Sequence, residues 1–99
     1  MFEAGKRYMT CGVVSEIPLD IQLILWGLID KLKTKNEQLD YLQIFELAKK
    51  NENTQYIKHI QEVPPYKNES TFRHNTPVNK KIYVIDDKTH STMLLAEEY

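Results

Sequence analysis

Helical and alternating apolar patterns in this 99-residue chain point to an α+β domain, a largely antiparallel sheet of four to five strands with one main helix packed on one face. Three observations carry that expectation. One stretch of about 18 residues repeats apolar side chains at helical spacing. Several shorter stretches, rich in β-branched and aromatic residues, are separated by turn chemistry. The chain is 41% hydrophobic and 10% aromatic, enough for one core, and its length leaves no room for a second, so residues 1–99 read as a single domain.

The elements follow in order. Arg7 to Val14 reads as a first strand, with Met9, Cys11 and Val13 alternating against Tyr8, Thr10, Gly12 and Val14. Pro18 suits the first turn of a helix, where its missing N–H is not needed. The helix from Pro18 to Lys35 is the clearest element: Ile21, Ile24, Leu25, Leu28, Ile29 and Leu32 form one apolar face. Asp20 complements its positive end, Lys31, Lys33 and Lys35 its negative end, and Asn36 is a suitable stop. Leu39 to Ala48 fits either a strand or a helix. A strand is preferred because Asn51-Glu52-Asn53-Thr54 is a turn and Gln55 to Val63 can return as its partner. Pro64-Pro65 ends that strand. Pro64 to Lys80 is polar, and it holds either a short edge strand near Ser70 to His74 or a binding loop. Ile82 to Ile85 is a strand, Asp86 to Thr89 a turn, and Ser91 to Ala96 a final strand, with a short C-terminal helix over Met93 to Glu98 as the alternative.

Composition excludes several functions. Thirteen Lys+Arg against 14 Asp+Glu give a net charge of -1, and the two halves of the chain are each nearly balanced. Arg7 and Arg73 are the only arginines, which weighs against phosphate and base recognition. One cysteine cannot staple a secreted domain, so Cys11 is expected to be a small buried hydrophobe. The apolar stretch Ile21 to Ile29 is too short to span a bilayer, and no leader is recognisable, so a cytosolic protein without membrane contact is expected.

Much of the chain resembles a known family. The segments are Arg7-Tyr8-Met9-Thr10, Ile17-Pro18-Leu19-Asp20-Ile21-Gln22-Leu23 running to Trp26, and Asp40-Tyr41-Leu42-Gln43-Ile44-Phe45-Glu46-Leu47. Gln61-Glu62-Val63-Pro64-Pro65-Tyr66 and the ending from Val84 through His90-Ser91-Thr92-Met93 to Tyr99 complete the set. They resemble a small family of low-GC Gram-positive bacteria catalogued as domain of unknown function 960. The resemblance implies a bacterial cytosolic protein, complete at this length, and brings no catalytic residue, ligand or reaction with it.

The most informative feature is a second apolar face on the helix. At about 100° per residue, Leu19, Leu23 and Trp26 fall about 160°, 200° and 140° from Ile21. A helix covering one sheet face needs one stripe. The second is either covered by other parts of the chain, such as Pro64 to Lys80, or presented to a partner or a second copy. Polar candidates are weaker. Asp86, Asp87, His90 and Ser91 cluster at a turn, where such residues ordinarily bond nearby backbone. His59 and His74 lie in other segments, with no zinc-like spacing. Pairing Lys50 with Gln55 would put Glu46 opposite His59. No nucleophile–base spacing or phosphate loop is present, and no metal or other cofactor is expected. Tyr8, Tyr41, Tyr56, Tyr66, Tyr83 and Tyr99, interleaved with Lys58 and Lys81, could stack single-stranded bases on a sheet. The sequence thus favours a small cytosolic binding or adaptor module, not an enzyme, working by protein–protein contact through the second helix face or a sheet edge. Single-stranded nucleic-acid binding, and a small enzyme built from His59, His74, Asp86, Asp87 or His90, are the alternatives.

Overall fold

Residues 1–35 and 38–99 are described in a computed structural model of the chain. The described residues run through β1 (Arg7–Met9), α1 (Cys11–Glu16), α2 (Leu19–Lys35), β2 (Leu42–Asn51), β3 (Thr54–Gln61), β4 (Tyr66–Arg73), β5 (Lys80–Asp86) and β6 (Ser91–Leu95), with 3-10 turns at Ala4–Lys6 and Ala96–Glu98. The architecture is α+β with one main helix, as expected. The sheet has six strands in place of four to five, in the order β1-β6-β5-β2-β3-β4. It is mixed: β1 runs parallel to β6, and every other pairing is antiparallel.

The first strand is much shorter than the alternation suggests. Extended backbone stops at Met9, and Cys11 to Glu16 turn as a helix. Thr10 is the reason at its start. Its hydroxyl accepts from the Val13 N–H at 3.3 Å, which satisfies one of the N–H groups that a helix start leaves free. Six residues are too few to display helical periodicity, so the Met9/Cys11/Val13 alternation mimics a strand. Cys11 is accordingly exposed on this helix, not buried.

The main helix forms as the apolar spacing requires. Ile21, Leu25, Ile29 and Leu32 are fully buried, and Ile24 and Leu28 pack at the margin of the same core. The proposed stop at Asn36 lies outside the described residues. The helix covers one sheet face, where Phe45, Leu47, Ile57, Ile82, Val84, Met93 and Leu95 alternate inward. Phe2 plugs one end of this core, fully buried in a left-handed backbone conformation (φ 57°). The Asp86 carboxylate accepts its N–H and the Arg7 guanidinium donates to its carbonyl.

β2 and β3 form the expected hairpin with one difference. The register shifts between Lys49 and Asn51, leaving Lys50 as an extra residue. Lys49 therefore faces Gln55, and every later pair moves by one. Phe45 stands opposite His59, and Glu46 stands opposite Lys58. The expected Glu46–His59 pair is not formed. Pro64 to Lys80 resolves into the eight-residue edge strand β4 and a crossover of residues 74–79. Gln55, fully buried, stitches that crossover down: its amide oxygen accepts from Val78 N–H at 2.7 Å, and its amide nitrogen donates to the Val78 and Ala48 carbonyls at 3.1 Å.

Candidate functional site

The second helix face divides. Leu19 and Leu23 are 64% and 61% exposed, whereas Trp26 is 6% exposed. The N-terminal segment supplies cover over Trp26. The Arg7 guanidinium lies 4.8 Å over the indole ring and pairs with Asp30 one turn further along α2. Trp26 is thereby part of the core and not of an exposed stripe with the two leucines.

The leucines have other company. Met9 and Val14 are 37% and 62% exposed beside them. Met9, Val14, Ile17, Pro18, Leu19 and Gln22 line a groove of about 530 Å³ between α1 and the start of α2. Leu23 lies one helical turn beyond Leu19 on the same side of α2. Scattered exposed apolar residues are ordinary, but several around one concavity are the pattern of a binding surface.

The groove is held rigid by polar contacts that have no signature in the sequence. Gln22, 4% exposed, donates from its amide to the Ile17 carbonyl at 2.8 Å, just past the end of α1, and at 3.4 Å to the Val13 carbonyl, which also accepts the Ile17 N–H. At the other end, Glu98 Oε1 accepts from the Thr10 hydroxyl at 2.7 Å and from the Leu95 N–H at 2.9 Å. Those bonds, the Thr10 hydroxyl first, hold the Glu98 carboxyl below the usual range. Lys80 then bridges Glu16 at 3.0 Å and Glu97 at 2.9 Å. The short helix is thus clamped at both ends.

The polar candidates fall in three separate places. His59 is buried under α2, stacked on Phe45 at 4.4 Å with the Tyr66 ring edge-on at 5.4 Å. Its Nε2 lies 2.7 Å from the Gln43 amide oxygen, and Gln43 in turn donates to Gln61 Oε1 at 2.7 Å. His74 closes the crossover against α2, with Nε2 2.9 Å from Asp20 and Nδ1 accepting from the Thr76 N–H at 3.0 Å. With both nitrogens engaged, the imidazole positions a loop. The His74 bond is the main reason the Asp20 carboxyl sits below its ordinary value.

Asp86, Asp87 and His90 do meet, at the β5–β6 turn. Asp86 accepts from the Phe2 and Lys88 N–H groups. Asp87 accepts from the Thr89 hydroxyl at 2.7 Å and from the Thr89 and His90 N–H groups, and these bonds bring its carboxyl down to about 2. His90 lies 3.3 Å from Asp87 and edge-on to Tyr8. Asp86 and His90 line a cleft of about 450 Å³ with Met1, Glu3, Lys6, Lys88 and Thr89. The carboxylates are consumed by the backbone of the turn, the role their residue types ordinarily take. Among the described residues, no group of three or more His, Cys, Asp or Glu side chains is arranged to hold a metal.

The sheet face away from α2 is half-buried and ordered by charge. Lys81, Glu46, Lys58 and Glu69 stand opposite one another across β5, β2, β3 and β4, a rung of alternating sign. Beside it run Leu94, Tyr83, Ile44 and Ile60. Tyr8, Tyr56 and Tyr83 share this face, with Tyr99 edge-on to Tyr83 at 5.5 Å; Tyr66 points to the helix side against His59.

A half-covered mixed sheet, one long helix and an apolar groove at the helix start define a small α+β sheet domain. Residues 6–98 match the family model of the staphylococcal proteins of unknown function known as DUF960, and the chain belongs to that family. Its fold is similar to the crystal structure of a protein of unknown function from Enterococcus faecalis, with a TM-score of 0.75 and 26% identity over 100% of this chain and 98% of that one. No curated protein matches the sequence. No helix among the described residues is long and apolar enough to cross a membrane.

Proposed function

We propose that this chain is a small cytosolic binding module that holds an apolar segment of a partner protein in the groove between α1 and α2. The supporting observation is the grouping of Met9, Val14 and Leu19, all exposed, around one preformed concavity, with exposed Leu23 one helical turn beyond Leu19. Preorganisation by Gln22, Glu98 and Lys80 reduces the ordering cost of binding. Nucleic-acid binding by the sheet receives less support, because Glu46 and Glu69 separate the lysines that would meet a phosphate backbone.

The test is capture from the native host with wild type and a Leu19→Ser/Leu23→Ser variant, followed by titration of the captured protein. The double variant should weaken binding by at least about tenfold, the scale of losing two apolar anchors. Equal binding by both proteins, or specific capture of RNA or DNA in place of a protein, would overturn the reading.

A further inference from the structure

β4 closes one side of the sheet, and no strand among the described residues pairs with its outer edge. It runs eight residues in unbroken register with β3. Proline and bulges are two devices that keep an edge from accepting another strand. Neither occurs here: Pro64, Pro65 and Pro77 all lie outside the strand. Charged side chains are a third device, and Lys67, Glu69 and Arg73 stand exposed on it. Their order nevertheless leaves one pairing open.

We propose that β4 pairs antiparallel with β4 of a second copy, about a two-fold axis through Thr71, joining two six-stranded sheets into one. A two-fold axis perpendicular to the sheet keeps each face on its own side, so the register must centre on a residue. Centring on Glu69 sets two carboxylates against each other. Centring on Ser70 sets Lys67 against Arg73 twice. Centring on Asn68 brings Pro65, which has no N–H to donate, opposite Thr71. Centring nearer either end leaves most of the strand unpaired. Centring on Thr71 places Glu69 opposite Arg73 twice and Phe72 opposite Ser70 twice, with no like charges in contact. It also continues the rung already present: Lys81, Glu46, Lys58 and Glu69 alternate in sign, and Arg73 of the second copy is the next member. Arginine suits that position because its planar fork matches a carboxylate. The surface is distinct from the groove, so either can fail without the other.

Sedimentation equilibrium tests this on the whole chain. Wild type should dimerise. Arg73→Glu and Glu69→Arg should each weaken dimerisation by at least about tenfold, because each places like charges together twice. An equimolar mixture of the two variants should form heterodimers. One copy then carries carboxylates at both positions 69 and 73, the other carries guanidinium groups at both, and each cross-strand pair joins opposite charges. Arg73 faces only the neutral Thr54 in its own sheet, so Arg73→Glu decides the matter even if Glu69→Arg, opposite Lys58, destabilises the fold. A wild type that stays monomeric to millimolar concentration, a dimer indifferent to Arg73→Glu, or a dimer lost in Leu19→Ser/Leu23→Ser would each overturn the proposal.

Discussion

His59 is enclosed by two aromatic rings and a glutamine pair, and among the described residues only one of its nitrogens has a partner. Nε2 donates to Gln43, whose own amide nitrogen is committed to the Asp40 carbonyl and Gln61, so the ring is neutral with its proton on Nε2. Among the described residues, Nδ1 is buried without a partner. A second proton would place a charge where nothing accepts it, and burial pushes the His59 pKa down to about 4 from 6.5. The unfolded chain therefore binds the proton more readily. The stabilisation is full above about pH 6.5 and is lost as pH falls towards 4, amounting to roughly 3 kcal/mol. Urea titrations across that window should show the loss in wild type and a much flatter profile in His59→Gln. A second contrast separates the residues of the helix face. Trp26→Ala should cost about 3–5 kcal/mol as a core truncation, whereas Leu19→Ser/Leu23→Ser should change stability by less than about 1 kcal/mol, because both side chains are mostly in water. Denaturant midpoints check both.

The two helices make opposite use of glycine. Gly27 lies exposed inside α2, one turn beyond Leu23, and a methyl group there meets nothing within 4 Å. Gly27→Ala should stabilise the protein by about 0.5–1 kcal/mol through helix propensity alone. At Gly12 a Cβ would stand 2.7 Å from the Glu98 carboxylate. Gly12→Ala should show no such gain, because the carboxylate must leave Thr10 and Leu95 and each lost bond costs about 1 kcal/mol. In a Glu98→Ala background that obstacle is gone, and Gly12→Ala should become stabilising. Thermal melts of the four proteins in this cycle decide it; a Gly12→Ala effect independent of residue 98 would refute the clamp on α1. The same clamp shapes the groove wall that carries Val14.

Charge is distributed over the whole molecule with little net excess, and its arrangement matters more than its sum. The rung from Lys81 to Glu69 crosses four strands with alternating sign, and a dimer through β4 would carry the alternation into a second copy. Opposite charges set across strands in this way contribute little energy each, but the like charges that other pairings bring together reject wrong registers. Raising the salt concentration should therefore relax register selection and the charge-reversal penalties together, by screening. The groove and the edge are separate surfaces on one rigid scaffold, so a dimer would present two grooves to a partner and raise its avidity.

Local pattern was enough for the long helix, the β2–β3 hairpin and the β5–β6 hairpin, because each repeats its signal over several residues at one period. It also marked Leu19 and Leu23 as surplus to the core. Trp26 shares their side of the helix by angle, yet the Arg7 guanidinium lies over its ring from a segment whose alternation carries no sign of that contact. The Met9-to-Val14 stretch alternates like a strand and folds as a helix, because a threonine cap and a carboxylate 88 residues away satisfy its first turn. The single extra residue Lys50 exchanged Glu46 for Phe45 opposite His59. Periodicity is a short-range property and can be read from neighbours in the chain; caps, bulges and covering contacts depend on partners that only come together when the chain is folded.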